Sequence, residues 1–357
     1  MVYPRVDRTA EAPRRILLVR LSAIGDIVFS SPLIAAFRNR YPKAYLAWLA
    51  QPAYCPLLEH HPDLDEVIEA PIDRWRALLQ QRHWRELLPE IRDVRHTLQA
   101  RRFDLAVDLQ GLLKSGGLTR LSGARERIGL GSREGSQWLM TRTIPRDGPP
   151  KRIGAEYLYL AKTLGLPVDG FPMAIHYQES DTEHAKATIA ERSLNTGYAV
   201  VCPFTTRPQK HWIEDRWPTL VERLGTKLGL STIMLGGPAD KEAAERISAA
   251  APGIVNLTGR TSLLQAAALI DHARLLVGVD TGLSHMGIAF DTPSLLLFGS
   301  TCPYLDTTRP SARVLYHRLE CSPCRRHPTC GGAFTCMAKI DVDHIIKHAR
   351  VLLETPE

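Results

Sequence analysis

The chain has 357 residues, 44% of them hydrophobic and 23% charged, with a formal net charge of +7. It is too long for one ordinary core and fits two domains of about 150–180 residues. No run approaches the roughly 18 apolar residues of a membrane-spanning helix, and the polar opening from Met1 to Arg15 lacks the apolar centre of an export signal.

Residues 1–13 therefore read as a disordered lead-in, 14–185 as a first domain and 186–357 as a second. The basic residues gather in the first half. From Asp73 to Arg152 there are 17 Lys and Arg against nine Asp and Glu. Such an excess suits an anionic partner, an acidic lipid surface or a phosphorylated substrate, or else a plain solvated face. Nucleic acid is not expected, because no recognised binding module is present.

Ile16 to Arg20 is an apolar run of strand length, as expected for a parallel strand covered on both faces. Ser31-Pro32 suits a helix start, with Leu33, Ala36 and Phe37 as its apolar side, and an irregular turn carrying Gly25 and Asp26 precedes it. Tyr45–Leu49 and Glu66–Ala70 read as strands, Arg74–Arg101 as a long basic helical stretch, and Leu105–Asp108 as a strand ending in polar residues. Gly116-Gly117 and Gly129 to Gly135 read as loops, and Ala155–Leu164 has helical spacing. The domain connection falls near 175–195.

The alternation then repeats. Strands are expected at Tyr198–Cys202, Ser231–Leu235, Leu275–Val279 and Ser294–Phe298. Helices are expected at Trp217–Lys227, Ala239–Ala250, Leu263–Asp271 and Leu283–Ala289. This order implies parallel sheets with right-handed crossovers, whose ligands collect beyond the carboxyl ends of the strands.

Several motifs fall at that edge. Asp26 follows Gly25 in the turn after the first strand. It can take a proton from a substrate hydroxyl or simply cap a helix. Thr205, Thr206 and Lys210 follow the first strand of the second half, and hydroxyls with a Lys there suit an anion. Asp280-Thr281-Gly282 opens a helix after Leu275–Val279, where exposed N–H groups at Thr281 and Gly282 favour a phosphate. Asp280 can accept from sugar hydroxyls, and His285 reads equally as a ligand contact or a packing residue. Gly259, with Gly236-Gly237, permits a flat base to lie against backbone or makes a plain turn.

Among seven cysteines, Cys55, Cys202 and Cys302 read as reduced core thiols. Cys321, Cys324, Cys330 and Cys336 form C-x2-C-x5-C-x5-C within the segment 321–336. The pattern fits either a structural zinc or iron site or packed reduced thiols.

Taken together, three motifs resemble glycosyltransferase family 9, the ADP-heptose:lipopolysaccharide heptosyltransferases. They are Arg20-Leu21-Ser22-Ala23-Ile24-Gly25-Asp26, Lys210-His211-Trp212 with Trp217, and Asp280-Thr281-Gly282-Leu283-Ser284-His285 with Leu297-Phe298-Gly299-Ser300-Thr301. The resemblance implies an α/β GT-B fold of two facing Rossmann-like domains with parallel sheets, the first binding acceptor and the second sugar nucleotide. It implies an inverting reaction that needs no cofactor or catalytic metal. Asp26 is then the general base. Thr205, Thr206 and Lys210 are diphosphate contacts, and Asp280, Thr281, Gly282 and His285 are donor contacts.

The implied partners are ADP-heptose and the lipopolysaccharide inner core (lipid A with Kdo). The implied location is the cytoplasmic face of the inner membrane, peripherally bound. The acceptor residues match no motif; Ser22 lies within the first motif, and Arg120, Arg125, Arg127 and Arg133 are chosen by charge. Three alternatives stand beside this reading: a protein-directed heptosyltransferase of the same family, a non-catalytic sugar-nucleotide-binding scaffold, and a sugar-nucleotide epimerase on the same two-domain architecture.

Overall fold

The computed structural model describes residues 13–301, 303–324 and 327–354. The expected lead-in therefore lies, apart from Pro13, outside the described residues, and so does Cys302. The chain forms two compact units, Met1–Pro150 with Gly154–His176, and Lys151–Ile153 with Tyr177–Glu357.

The first unit has strands β1 (Arg15–Val19), β2 (Tyr45–Ala50), β3 (Glu66–Glu69), β4 (Leu105–Asp108), β5 (Glu126–Leu130) and β6 (Arg142–Ile144). Its helices are α1 (Ile24–Ser30), α2 (Pro32–Arg40), α3 (Pro56–Glu59), α4 (Ile72–Gln80), α5 (Trp84–Ala100), α6 (Leu113–Leu121) and α7 (Ala155–Thr163). The sheet order is β3-β2-β1-β4-β5-β6, all parallel. Ile16, Leu17, Leu18 and Val19 are all fully buried. Burial of alternate residues on both faces marks β1 as a central strand covered on each side, which is why its sequence is continuously apolar.

The second unit has β7 (Tyr198–Cys202), β8 (Ser231–Met234), β9 (Ile254–Asn256), β10 (Leu275–Val279), β11 (Ser294–Phe298) and β12 (Ala312–Tyr316). Its helices are α8 (Glu179–Glu191), α9 (Arg216–Leu228), α10 (Lys241–Ala250), α11 (Leu263–Asp271), α12 (Gly282–Ala289), α13 (Thr335–Ala338) and α14 (Val342–Glu354). The order β12-β11-β10-β7-β8-β9 is the same doubly wound topology counted from β7. Each sheet therefore reverses its winding once, between β1 and β4 and between β7 and β10. The crevice outside the carboxyl ends of those two strands is where such sheets bind ligands.

Three local expectations change. The turn carrying Gly25 and Asp26 is the first turn of α1. Gly116-Gly117 lies inside α6, not in a loop. A Cβ at Gly116 would stand 2.8 Å from the Ser136 Cβ, so the glycine serves close packing and does not break the helix. Gly129, expected in a loop, lies in β5, where a Cβ would meet the Ser132 Oγ at 2.0 Å. The strands β5, β6, β9 and β12 escape the sequence pattern because they are short or carry polar residues at partly exposed positions.

Candidate active site

At the switch point of the first unit the chain leaves β1 through Arg20 and enters α1. Asp26 is the third residue of that helix, and its Oδ2 accepts from the Ala23 backbone N–H at 3.4 Å. The same oxygen pairs with the Arg20 guanidinium. Arg20 is itself buried, donates to the Leu109 carbonyl at 3.0 Å, and leaves its Nε without a partner. Asp26 Oδ1 has no hydrogen-bond partner among the described residues, and the side chain is 45% exposed. Asp26 thus does part of a capping job with one oxygen and offers the other to solvent. Ser22 stands partly exposed in the same turn.

The loop after β4 completes this edge. Asp108 is fully buried; its Oδ1 accepts from the N–H groups of Gln110 (2.9 Å) and Gly111 (3.0 Å), and its Oδ2 from Ser115 Oγ (3.0 Å). Burial raises its pKa, against the pull of those donors and of Arg20. Gln110 Oε1 in turn accepts from the Leu21 N–H at 3.1 Å and fixes the start of the Asp26 turn. Gly111 has φ +68°, and a Cβ there would lie 2.4 Å from the Leu130 carbonyl oxygen, so the turn requires glycine. Lys114, in the first turn of α6, is partly buried. Desolvation and the nearby Arg76 lower its pKa. Motif reading gave no role to Arg20, Asp108, Gln110 or Lys114; the Arg20-to-Asp26 run and the polar end of β4 were the available signals.

Of the four arginines chosen by charge, Arg133 lies at this edge, in the loop after β5. Arg125 and Arg127 flank the start of β5, and Arg120 ends α6; all three belong to the opposite edge, because Glu126 pairs level with Leu105 at the start of β4. Arg127 is also committed to the carbonyls of Leu139 (2.9 Å) and Ala124 (2.6 Å). Charge alone could not tell one end of a strand from the other.

In the second unit, Thr205, Thr206 and Lys210 follow β7, and Asp280, Thr281 and Gly282 follow β10. Lys210 Nζ lies 2.6 Å from Asp280 Oδ2, which also accepts from Thr301 Oγ1 at 2.7 Å. Asp280 Oδ1 faces His285 Nε2 at 3.1 Å, and Tyr304 Oη lies 2.6 Å from the His285 Nδ1. Because a carboxylate only accepts, the imidazole proton belongs on Nε2. The Asp280 side chain is 13% exposed. Burial alone would raise its pKa, but the hydrogen bond from His285, with the Lys210 charge, outweighs that and holds it well below the ordinary carboxylate range. His285 is a buried packing residue that also hydrogen-bonds Asp280.

The Lys210 loop is held from below. His211 Nε2 meets the Thr205 carbonyl at 2.8 Å, Trp212 donates to the Ile340 carbonyl at 2.8 Å, and the Trp212 and Trp217 rings meet edge to face at 4.9 Å. Gly278 lets α12 approach β10, since a Cβ there would sit 2.1 Å from Ser284 Oγ. Thr281 is the N-cap of α12, and its side chain makes no capping bond, so the opening N–H groups are not taken up by that hydroxyl. Gly259 has φ +65° and donates to the Gly236 carbonyl at 2.9 Å, joining the loops after β8 and β9.

The four-thiolate site is not formed. Among the described residues no group of three or more His, Cys, Asp or Glu side chains is placed to hold a metal ion. Cys336 is buried in the core of the second unit, where its Sγ stands 2.7 Å from where a Cβ on Gly299 would be, whereas Cys321 is exposed. Cys336 nonetheless lies near Cys324 and Cys321: burial raises its pKa, and their charges add to the rise.

Residues 91–332 match the model of glycosyltransferase family 9 (heptosyltransferase). This chain belongs to that family. It is a glycosyltransferase. It is 29% identical over 315 residues to lipopolysaccharide heptosyltransferase 1 of Pseudomonas aeruginosa, covering 87% of this chain and 86% of the relative. The family 9 glycosyl transferase of Veillonella parvula superposes with a TM-score of 0.79 at 20% identity, covering 95% and 97% of the two chains. The Escherichia coli heptosyltransferase WaaC with ADP-2-deoxy-2-fluoro heptose does so with a TM-score of 0.70 at 25% identity, covering 94% and 99%. The fold class is the α/β GT-B type, with two Rossmann-like units and parallel sheets.

Proposed function

We propose that this family 9 enzyme transfers heptose from ADP-heptose to a hydroxyl of the lipopolysaccharide inner core, with inversion and without a catalytic metal. The first unit takes the acceptor and the second the sugar nucleotide. The observation that carries the reading is the pairing of unlike carboxylates in one chain: Asp26 with an oxygen free at a strand edge, and Asp280 consumed in holding a lysine. Relatives named as lipopolysaccharide heptosyltransferases, and a solved relative holding an ADP-heptose analogue, support this choice of substrates.

In this mechanism Asp26 Oδ1 accepts the proton of the acceptor hydroxyl while Arg20 and the Ala23 N–H hold Oδ2. General-base action of this kind is worth roughly 10²–10⁴-fold. The freed oxygen bonds to the anomeric carbon as the bond to the diphosphate breaks. Lys210, the hydroxyls of Thr205 and Thr206 and the N–H groups opening α12 receive the charge that grows on the leaving ADP. Asp280 keeps Lys210 in place. Lys114, Arg133 and Ser22 meet the acidic acceptor, which is anchored in the cytoplasmic face of the inner membrane.

Mass spectrometry of the product formed from ADP-heptose and Kdo-bearing lipid A tests the proposal. A mass gain of one heptose with release of ADP is expected. Release of ADP with no glycosylated lipid, or a labelled protein in its place, refutes the acceptor.

A further inference from the structure

The α4–α5 hairpin of the first unit is poorly explained by the chemistry above. Among the described residues no helix is long and apolar enough to cross a membrane. Yet the hairpin leaves Leu79 48%, Trp84 50% and Leu88 61% exposed. Every residue from Leu79 to Glu86 is exposed. Trp84, Leu88, Arg92 and Arg95 stand at i, i+4, i+8 and i+11 of α5 and so share one side of the helix.

The charges around them are not balanced. Glu90 is taken by Arg74 (2.7 Å) and by Trp75 Nε1 (3.1 Å), Asp73 faces Arg76 at 3.5 Å, and Glu86 faces His83 at 3.4 Å. The guanidinium groups of Arg82, Arg85, Arg92 and Arg95 have no hydrogen bond or ion pair among the described residues. Asp93 is the unpaired acid of the hairpin, and it lies half a turn round α5 from Trp84.

The hairpin also points the useful way. The C-terminal end of α5 is fastened beside the start of β3, where Arg101 pairs with Glu66. A helix of 17 residues is about 25 Å long, and a strand of four or five residues only about 15 Å. The Trp84 end of α5 therefore overshoots the carboxyl edge of the sheet by about 10 Å. That is the edge that carries Asp26 and Lys114.

We infer that the tip of the α4–α5 hairpin is a docking surface for an anionic phospholipid bilayer: Trp84, Leu79 and Leu88 enter the headgroup region, and Arg82, Arg85, Arg92 and Arg95 meet its negative charge. An amphipathic aromatic ring with aliphatic neighbours suits that interface, and each basic residue at an anionic surface is worth about fivefold in binding. This deepens the functional reading, since a lipid-borne acceptor must reach the edge that the hairpin overshoots.

Co-sedimentation of the full chain with vesicles of phosphatidylcholine alone, and of phosphatidylcholine with 30% phosphatidylglycerol, tests the inference. Sugar nucleotide is left out, so the outcome is independent of the transferase assay. The native chain is expected to bind the anionic vesicles and to be released by high salt. Arg82→Glu with Arg85→Glu is expected to weaken binding about 30-fold or more. Trp84→Ser with Leu88→Ser is expected to weaken it about tenfold, and transfer to a short water-soluble acceptor should be unchanged in both double variants. Equal binding by either double variant, equal binding to both vesicle types, or no binding by the native chain overturns the inference. So does concentration-dependent self-association that the Trp84 and Leu88 changes abolish, because the patch would then meet a second copy of the chain.

Discussion

Each unit sets an aspartate beside a cation where a short helix leaves a strand at the switch point, after β1 in the first and after β10 in the second, and the two are partnered in opposite ways. Asp26 in the first unit shares one oxygen between Arg20 and a backbone N–H and keeps 45% of its side chain exposed. Asp280 in the second unit gives its oxygens to Lys210, Thr301 and His285 and is 13% exposed. A carboxylate with a free oxygen can exchange a proton with a substrate. One whose lone pairs are committed can only position its neighbours. On the proposed function, partner count and burial, more than residue type, separate the general base from the carboxylate that positions a cation.

The largest expected effect breaks the comparison from the first side. Asp26→Asn should lower the transfer rate roughly 10²–10⁴-fold while leaving ADP affinity within about twofold. Turnover near the native rate would remove Asp26 from the proton transfer.

The units should also part in acid. His61 in the first unit is buried, its Nδ1 accepts from the Asp63 N–H at 3.2 Å, and its ring meets His176 edge to face. Burial, with His176 beside it, pushes its pKa down to about 4. A depressed histidine leaves the unfolded chain binding more protons, so the stability it contributes is complete above about pH 6.5 and is lost as pH falls toward 4. The loss reaches about 3 kcal/mol. Asp280 is depressed too, as a carboxylate, and its contribution is complete above the ordinary carboxylate range and is lost progressively as pH falls through and below it. Hydrogen exchange should show the first unit losing protection before the second between pH 6.5 and 4. His61→Asn should flatten that slope. Simultaneous loss in both units would contradict the assignment.

Lys210→Ala sharpens the contrast from the second side. It strips a cation from a buried carboxylate, so it should destabilise the fold by about 1–3 kcal/mol as well as raise KM for the sugar nucleotide. Asp26→Asn should cost less, about 1 kcal/mol, because the amide oxygen can still accept from the buried Arg20 and the position is half exposed. Thermal melts of the two variants measure the difference, and equal melting points would deny that Asp280 is the more deeply built of the two. The smallest effect belongs to Tyr304→Phe, which removes the hydroxyl beside His285 Nδ1. A cost of about 1 kcal/mol in donor affinity, some fivefold, is expected by titration calorimetry with ADP.

Much of this site was legible in the chain because the residues that build it are close in sequence. Asp26 follows Arg20 by six positions, His285 follows Asp280 by five, and Lys210 stands two residues before the tryptophan that anchors its loop. The apolar runs at β1, β7, β10 and β11 announced themselves since both faces of each are covered. What failed were judgments that need a third dimension. Gly116 reads as a helix breaker until Ser136 is seen against it, and Arg120, Arg125 and Arg127 look like an acceptor site until the register of β5 puts them at the far end. The four clustered cysteines read equally as a metal site or as packed thiols, and spacing alone could not choose; among the described residues they are not arranged to hold a metal ion.

The alternation of strands and helices, and from it the two parallel sheets, can be read along the chain alone, since hydrophobic period and glycine placement act over a few residues. Which charges meet depends on how distant segments fold together. Whether a carboxylate is free or spent depends on partners brought from other strands, and Thr301 and Tyr304 reach the Asp280–His285 pair only because β11 lies beside β10 in the folded sheet.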